Sequence, residues 1–326
     1  MKRLLIVLAV LLGLDLAVLI LALGSGSVGI PADAFWEALT DAQGLHGAIL
    51  HELRLPRALG AFTAGALLAT AGALMQVLLR NPLADPYVLG VSGGAAVGAL
   101  GSVLLGLSAL WMPAGAFAGA LLSMLLVFGL IRLHGDWSPT RLLLTGVVIA
   151  AGWGALINLL LALSPDDRLR GMLFWLMGDL SHVQGWGWGL LALSVAALPP
   201  LFAARGLNLL AQGELRAAAL GVSVPLLRRM LYICASLLTA AAVTLAGSIG
   251  FIGLITPHLL RLTIGADHRV LIPASALLGG GLVMLADTLA RTLIAPQQLP
   301  VGVVTALVGV PLFLLLLQKE RHPLRS

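Results

Sequence analysis

The chain has 326 residues, 60% of them hydrophobic and only 10% charged, with a formal net charge of +5 and a mean hydropathy of +1.04. A soluble domain carries roughly a quarter of its residues as charges. This chain cannot cover itself for water, and no polar stretch is long enough to fold alone, so it reads as an integral membrane protein. The basic residues are scattered between apolar runs, which reads as membrane topology rather than as a nucleic-acid footprint. The single Cys234 excludes an intrachain disulfide and reads as a small packed residue.

Apolar runs long enough to cross a bilayer predict ten helices, near 4–23, 57–79, 88–107, 112–133, 141–163, 186–204, 230–250, 251–266, 271–291 and 301–318. The first begins like a signal peptide, MKR before an apolar run and ALGSGS at 22–27. That run of about twenty residues exceeds the usual h-region, which predicts an uncleaved helix. With the N-terminus inside, five basic residues fall outside: Arg54, Arg57, Arg168, Arg170 and Arg291. The other fourteen of the nineteen Lys and Arg fall inside, so both termini are expected in the cytoplasm.

Between the second and third spans, RNPLADPYVLGVSGGAAVGA (80–99) places Asn81, Pro82, Pro86, Gly90, Ser92 and Gly93 at a joint. Proline lacks an amide hydrogen, and backbone that leaves the helix inside a membrane must face protein or a water-filled cavity. Two readings stay open: a tight turn with small-residue packing, or a broken helix lining a pathway. A second break, SIGFIGLITP (248–257), separates spans seven and eight, and QQLPVGVVTALVGVPLF (297–313) opens the last span. A weak likeness of spans two to five to spans seven to ten would suit an inverted repeat.

GELRAAALGV (213–222), between spans six and seven, is a polar helix in an apolar chain. Gly213, Glu214, Ala218, Leu220 and Gly221 mark it, with Gly221 as the C-terminal stop. The residues alone leave a solvated loop and a docking element equally open.

Asp15, Asp287 and Arg261 lie within spans, where a charge is a functional candidate by default. Asp287 and Arg291 are four apart, which predicts a local ion pair. Arg261 falls near the cytoplasmic end of its span, and Asp15 has no evident partner. Such isolated charges do not make a proton relay. The histidines His46, His51, His134, His182, His258, His268 and His322 form no pair at metal-ligand spacing. The two lysines, Lys2 and Lys319, follow no glycine-rich loop, so the chain has no P-loop; G-x-S-x-G and H-E-x-x-H are absent too.

RLPRALGAFTAGALLATAGALMQVLLRNPLADPYVLGVSGGAAVGA (54–99) resembles the signature of the FecCD family, permeases of ABC importers for iron chelates, haem and vitamin B12. AGSIGFIGLITPHLLRLTIGADHRVLIPASALLGG (246–280), LADTLAR (285–291) and LPVGVVTALVGVPLFLLLL (299–317) resemble its later signatures. The resemblance implies an all-α polytopic membrane protein with the type II ABC importer permease fold. One permease domain would span residues 1–326, with a cytoplasmic coupling element at about 207–229. It implies a homodimer in a bacterial inner membrane, two ATPase subunits holding the ATP and Mg, and a periplasmic substrate-binding protein. The chain itself would be no enzyme and would bind no cofactor. By position, Arg54, Arg57 and Arg291 would dock the binding protein, and Gly213, Glu214, Ala218, Leu220 and Gly221 would contact the ATPase. Ser138, Pro139 and Thr140 match the cytoplasmic gate, although Pro139 departs from the family there. The rival expectations are a secondary transporter or channel whose uptake tracks an ion gradient, and a structural membrane scaffold.

Overall fold

The computed structural model describes residues 2–26, 28–42, 44–108, 110–133, 138–181, 183 and 185–320. Of the residues named or counted above, His134, His182, His322, Arg321 and Arg325 lie outside the described residues, as do the side chains of Lys2, Arg3 and Lys319. The described chain is all-helical. Its helices are α1 (Lys2–Gly24), α2 (Ala32–Thr40), α3 (Leu45–Ala48), α4 (Leu55–Leu78), α5 (Val91–Leu104), α6 (Trp111–Leu133), α7 (Pro139–Ala162), α8 (Asp166–Leu176), α9 (Trp186–Phe202), α10 (Ala204–Ala211), α11 (Glu214–Ala219), α12 (Val224–Ala246), α13 (Ile252–Ile264), α14 (His268–Thr292) and α15 (Val301–Glu320).

Six of these, α1, α4, α6, α7, α12 and α14, are long and apolar enough to cross a membrane. The pair α9 and α10 adds a seventh span bent by 65°, and α5, α13 and α15 are shorter apolar helices. Among the described residues that makes ten apolar segments, at the positions the hydrophobic runs predict. The bend follows Pro199 and Pro200, which remove two amide donors from the end of α9. The twelfth helix starts at Val224, six residues ahead of its apolar run. Pro225 explains this, because a proline in the first turn opens a helix at little cost.

α4 forms the centre of the molecule and is buried nearly throughout, packed most extensively on α14 and then on α12. Lipid gives no hydrophobic force between helices, so close contact has to come from small side chains. A Cβ on Gly65 would lie 2.1 Å from the Gly279 carbonyl oxygen, and one on Gly94 would lie 2.3 Å from that of Gly119. The first contact fixes the crossing of α4 with α14, the second that of α5 with α6. By contrast, α1, α6 and α7 are largely exposed, with Leu5, Leu125 and Val148 facing outward. An apolar outer face of this kind suits a lipid surround.

Helix lengths run long, short, long in α4 to α6 and again in α12 to α14. Each short helix follows a residue in the left-handed region, Gly90 at φ 71° and Phe251 at φ 70°. Tyr87, in the 3₁₀ turn Pro86–Leu89, joins the two breaks. Its hydroxyl donates to the Ile249 carbonyl at 3.1 Å and accepts from the Ile249 amide at 3.0 Å.

Candidate functional site

Two clusters occupy opposite ends of the paired helices α4 and α14. At one end lies α11. Gly213, at φ 130°, lets the chain turn out of α10. Gly221, at φ 82°, closes α11: its amide bonds the Ala218 carbonyl at 3.0 Å, and the Val222 amide bonds that of Ala217 at 3.0 Å. This pair of bonds is the Schellman closure, and it confirms Gly221 as the helix stop. Glu214 is tied on both sides, to Arg228 of α12 and to Arg80 beyond α4 at 3.1 Å. α11 is therefore a fixed projection and not a loose loop. Ala217 faces inward, while Ala218, Leu220 and Gly221 are exposed. Leu215 is 90% exposed and Leu226 is 66% exposed. These two leucines escaped the sequence reading, although Leu215, an apolar side chain on a six-residue polar helix with a buried alanine, is a legible signal.

Immediately before α11, Asn208 of α10 grips the start of α14. Its amide donates to the Asp267 carboxylate at 2.8 Å, and its oxygen accepts from the His268 backbone amide at 2.9 Å. The same oxygen lies 2.6 Å from His268 Nδ1. Asp267 in turn caps α14 through the Arg269 amide. The Asn208 bond is the main reason the Asp267 carboxyl is held below its ordinary range.

At the other end the structure gathers Arg54, Arg57 and Arg291 around a cavity of about 810 Å³, together with Arg170 of α8. Each of the three is bonded within the chain. Arg54 is 5% exposed and donates to the carbonyls of Leu23 and Val28. Arg57 binds both oxygens of Asp287 at 2.8–3.1 Å and also Gln298 at 2.8 Å. Arg291 is 7% exposed and donates to the Ala22 carbonyl. The predicted pair of Asp287 with Arg291 exists at 3.6 Å, but Arg57 is the closer partner. Helical spacing could not reveal it, because the partner lies on another helix. The cavity walls include Phe174, Met177, Leu180 and Leu299.

The remaining assignments take different places. Ser138 caps α7 by accepting from the Arg141 amide at 3.2 Å, with Pro139 in the first turn. These contacts are those of a helix start. At the joint of α4 and α5, Asn81 and Pro82 are exposed, whereas Pro86 and Gly90 are buried. Asn81 folds the turn by accepting from the Leu83 amide at 2.9 Å. A Cβ on Gly93 would lie 2.7 Å from Trp153 Cβ. Ser123 donates to the Gly90 carbonyl and accepts from Trp153 Nε1, each at 2.9 Å. Gly93 and Gly90 are thus packed against α7 and α6, and none of these six residues lines the arginine cavity. Asp15 packs against α14: a Cβ on Gly281 would meet its Oδ1 at 2.2 Å, and its Oδ2 has no hydrogen-bond partner among the described residues. Arg261 donates to Gln76, whose amide donates to the Leu254 carbonyl at 3.1 Å. Cys234 is buried, and among the described residues no cluster of His, Cys, Asp or Glu could hold a metal ion.

Comparison with known proteins agrees with this architecture. The chain is 43% identical to the hemin transport system permease protein HmuU of Yersinia pestis over 93% of both chains. It is also 43% identical to the vitamin B12 import system permease protein BtuC of Escherichia coli O9:H4, over 83% of this chain and 84% of that one. A solved inward-facing conformation of an ABC transporter superposes with a TM-score of 0.83 at 31% identity, covering 96% of this chain and 98% of the other. The model of the FecCD transport family matches residues 12–319, so the chain belongs to that family and is a transport permease, not an enzyme.

Proposed function

We propose that the chain is the membrane-spanning subunit of an ATP-driven importer that moves an iron chelate, haem or cobalamin from the periplasm to the cytoplasm of a bacterium. It acts as a dimer with two ATPase subunits and an extracytoplasmic binding protein. The observation that carries this reading is α11, a rigidly capped helix that projects exposed leucines from a chain without a P-loop. Leu215, Ala218, Leu220 and Gly221 fit a cleft on a partner, and Glu214 fixes the helix to the permease body. ATP and Mg belong to the partner, and this chain needs no cofactor of its own. Positive charge favours the cytoplasmic side, which puts α11 and both termini there. The arginine cavity then opens outward, and the binding protein docks over its rim.

The names of the relatives supply the substrate range, a hemin permease and a vitamin B12 permease. The test is uptake by the permease reconstituted with its ATPase and binding protein. Transport is expected to stop when ATP is withdrawn and to continue when the proton and sodium gradients are collapsed. Uptake that persists without nucleotide and follows an ion gradient would establish the secondary-transporter reading instead.

A further inference from the structure

Arg80 closes α4 in a conformation that arginine rarely takes. Its φ is 49°, and among the described residues only Phe251 is another non-glycine residue at positive φ. The closure is the one that Gly221 makes at α11. The Arg80 amide bonds the Val77 carbonyl at 3.2 Å, and the Asn81 amide bonds that of Gln76 at 3.1 Å. Glycine is favoured at this position because a Cβ strains the left-handed backbone. What a glycine would lose is the side chain, which reaches Glu214 of α11 at 3.1 Å. The two side chains are 43% and 29% exposed, and an ion pair this open adds little to stability. Stability therefore does not account for an arginine here, whereas a link between helices does.

The same turn also reaches inward. Gln76 accepts the Asn81 amide with its backbone, and its buried side chain lies against α13. Pro257 lacks the amide that would bond the Gly253 carbonyl one turn earlier. Gln76 Nε2 donates there instead, to the Gly253 carbonyl at 3.4 Å and to that of Leu254 at 3.1 Å. Its Oε1 accepts from Arg261. Direct contacts thus run from Glu214 of α11, through the closing turn of α4, to the proline-bearing turn of α13.

We propose that Arg80 is a positioning residue for transport, which passes a displacement of α11 into α4 and on to the proline turn of α13. Arg228 gives Glu214 a second tie, to α12. Losing Arg80 therefore loosens α11 from the central helix without releasing it from the permease body. The strained backbone is retained because it aims the guanidinium at Glu214. This assignment rests on the reading of the chain as an importer permease and adds a named residue to its coupling.

The experiment measures uptake and ATP hydrolysis together, in proteoliposomes holding the permease, its ATPase and its binding protein. The cargo is hemin or cyanocobalamin, whichever the unaltered complex accumulates. Arg80→Gly removes the side chain and relieves the backbone. Its thermal midpoint should equal or exceed the parent's, and the ATPase should co-purify as before. Cargo moved per ATP should fall roughly fivefold. Arg80→Lys keeps both the charge and the left-handed backbone and should restore most of that ratio. In the permease alone, in nanodiscs, Arg80→Gly should speed amide hydrogen exchange across residues 214–222 by roughly threefold or more. A parental ratio in Arg80→Gly, or a ratio in Arg80→Lys as low as in Arg80→Gly, would overturn the assignment. So would a drop in midpoint or co-purification large enough to account for the loss, since either marks Arg80 as structural. An unaltered complex that accumulates cargo without nucleotide rejects the importer reading instead. Hydrogen exchange then decides the link by itself, and unchanged exchange in Arg80→Gly rejects it.

Discussion

Arg57 of α4 holds both carboxylate oxygens of Asp287 of α14 across 230 residues of chain, and Asp287 is 2% exposed. The contact closes the same helix pair that Gly65 and Gly279 bring together further along. Glycine packing sets how close the helices lie, and the ion pair sets their register at the cavity end.

Breaking that pair leaves buried Asp287 with only the longer Arg291 contact at 3.6 Å, so the cost falls below the ~3–5 kcal/mol of a fully stranded buried charge. Arg57→Ala is expected to lower the thermal midpoint in detergent clearly, and Asp287→Asn likewise, because it strands two arginines. Arg57→Met with Asp287→Leu should cost less than the sum of the single changes. Strictly additive losses would show that the two side chains do not depend on each other.

The exposed face of α11 yields a second prediction. Leu215→Glu alters a side chain that touches little of its own chain, so folding and membrane insertion should be retained. Co-purification of the ATPase subunit should fall at least tenfold, the scale of an anchor residue at an interface. Gly221→Val should weaken the complex too, through roughly 1–2 kcal/mol of left-handed strain in the closing turn. Unchanged co-purification in both variants would remove α11 from the contact.

Asp85 gives a pH dependence. It lies in the connection between α4 and α5, outside either span, and accepts from the Tyr87 amide at 2.7 Å. Burial pushes its carboxyl up from 3.8 to about 6, against the lowering effect of that hydrogen bond. A raised value means that the fold favours the protonated acid. Its contribution to stability is full below pH 3.8 and is lost as the pH rises through about 6. Asp85→Asn keeps an acceptor for the Tyr87 amide and cannot ionise. It should therefore add about 1–3 kcal/mol at neutral pH and flatten the melting curve across this window. A variant with the parent's pH slope would assign the slope to another group.

Asn208 supplies a positioning test. Asn208→Ala removes the side chain that joins α10 to the start of α14, at about 1–2 kcal/mol of stability. A purely structural role would stop there. A linking role would also lower the transport achieved per ATP hydrolysed, with Asn208→Asp failing to restore it beside Asp267. A loss of stability with an unchanged ratio of transport to hydrolysis would limit Asn208 to structure.

Orientation can be checked directly. The distribution of Lys and Arg predicts that both termini face the cytoplasm. A reporter fused after Ser326 should be active only as a cytoplasmic type, and activity of a periplasm-dependent reporter there would invert the arrangement.

The long helices were legible because a membrane span needs a run of apolar residues and nothing else in this chain supplies one. Gly221 was legible because a stop signal is local. The partners of Asp287 and Asp15 were not, since they sit on other helices and depend on how α4, α14 and α1 pack. The same holds for Arg54, Arg57 and Arg291, whose grouping could be read while their inward direction could not. Short helices such as α8 carry too few residues to show a period, which is why Arg170 went unnoticed as part of the cavity.

The hydroxyl of Tyr87 has one more consequence. By donating to and accepting from the same residue, Ile249, it makes each unwound segment the solvent of the other. Pulling them apart would bare an amide, a carbonyl and a phenol to hydrocarbon, several kcal/mol with no water to offset it. The two halves of the chain are thus joined where their helices break, and that joint resists being pulled open. A transport motion that kept both breaks covered would have to leave this joint closed and bend the chain elsewhere, as at the 65° junction of α9 and α10.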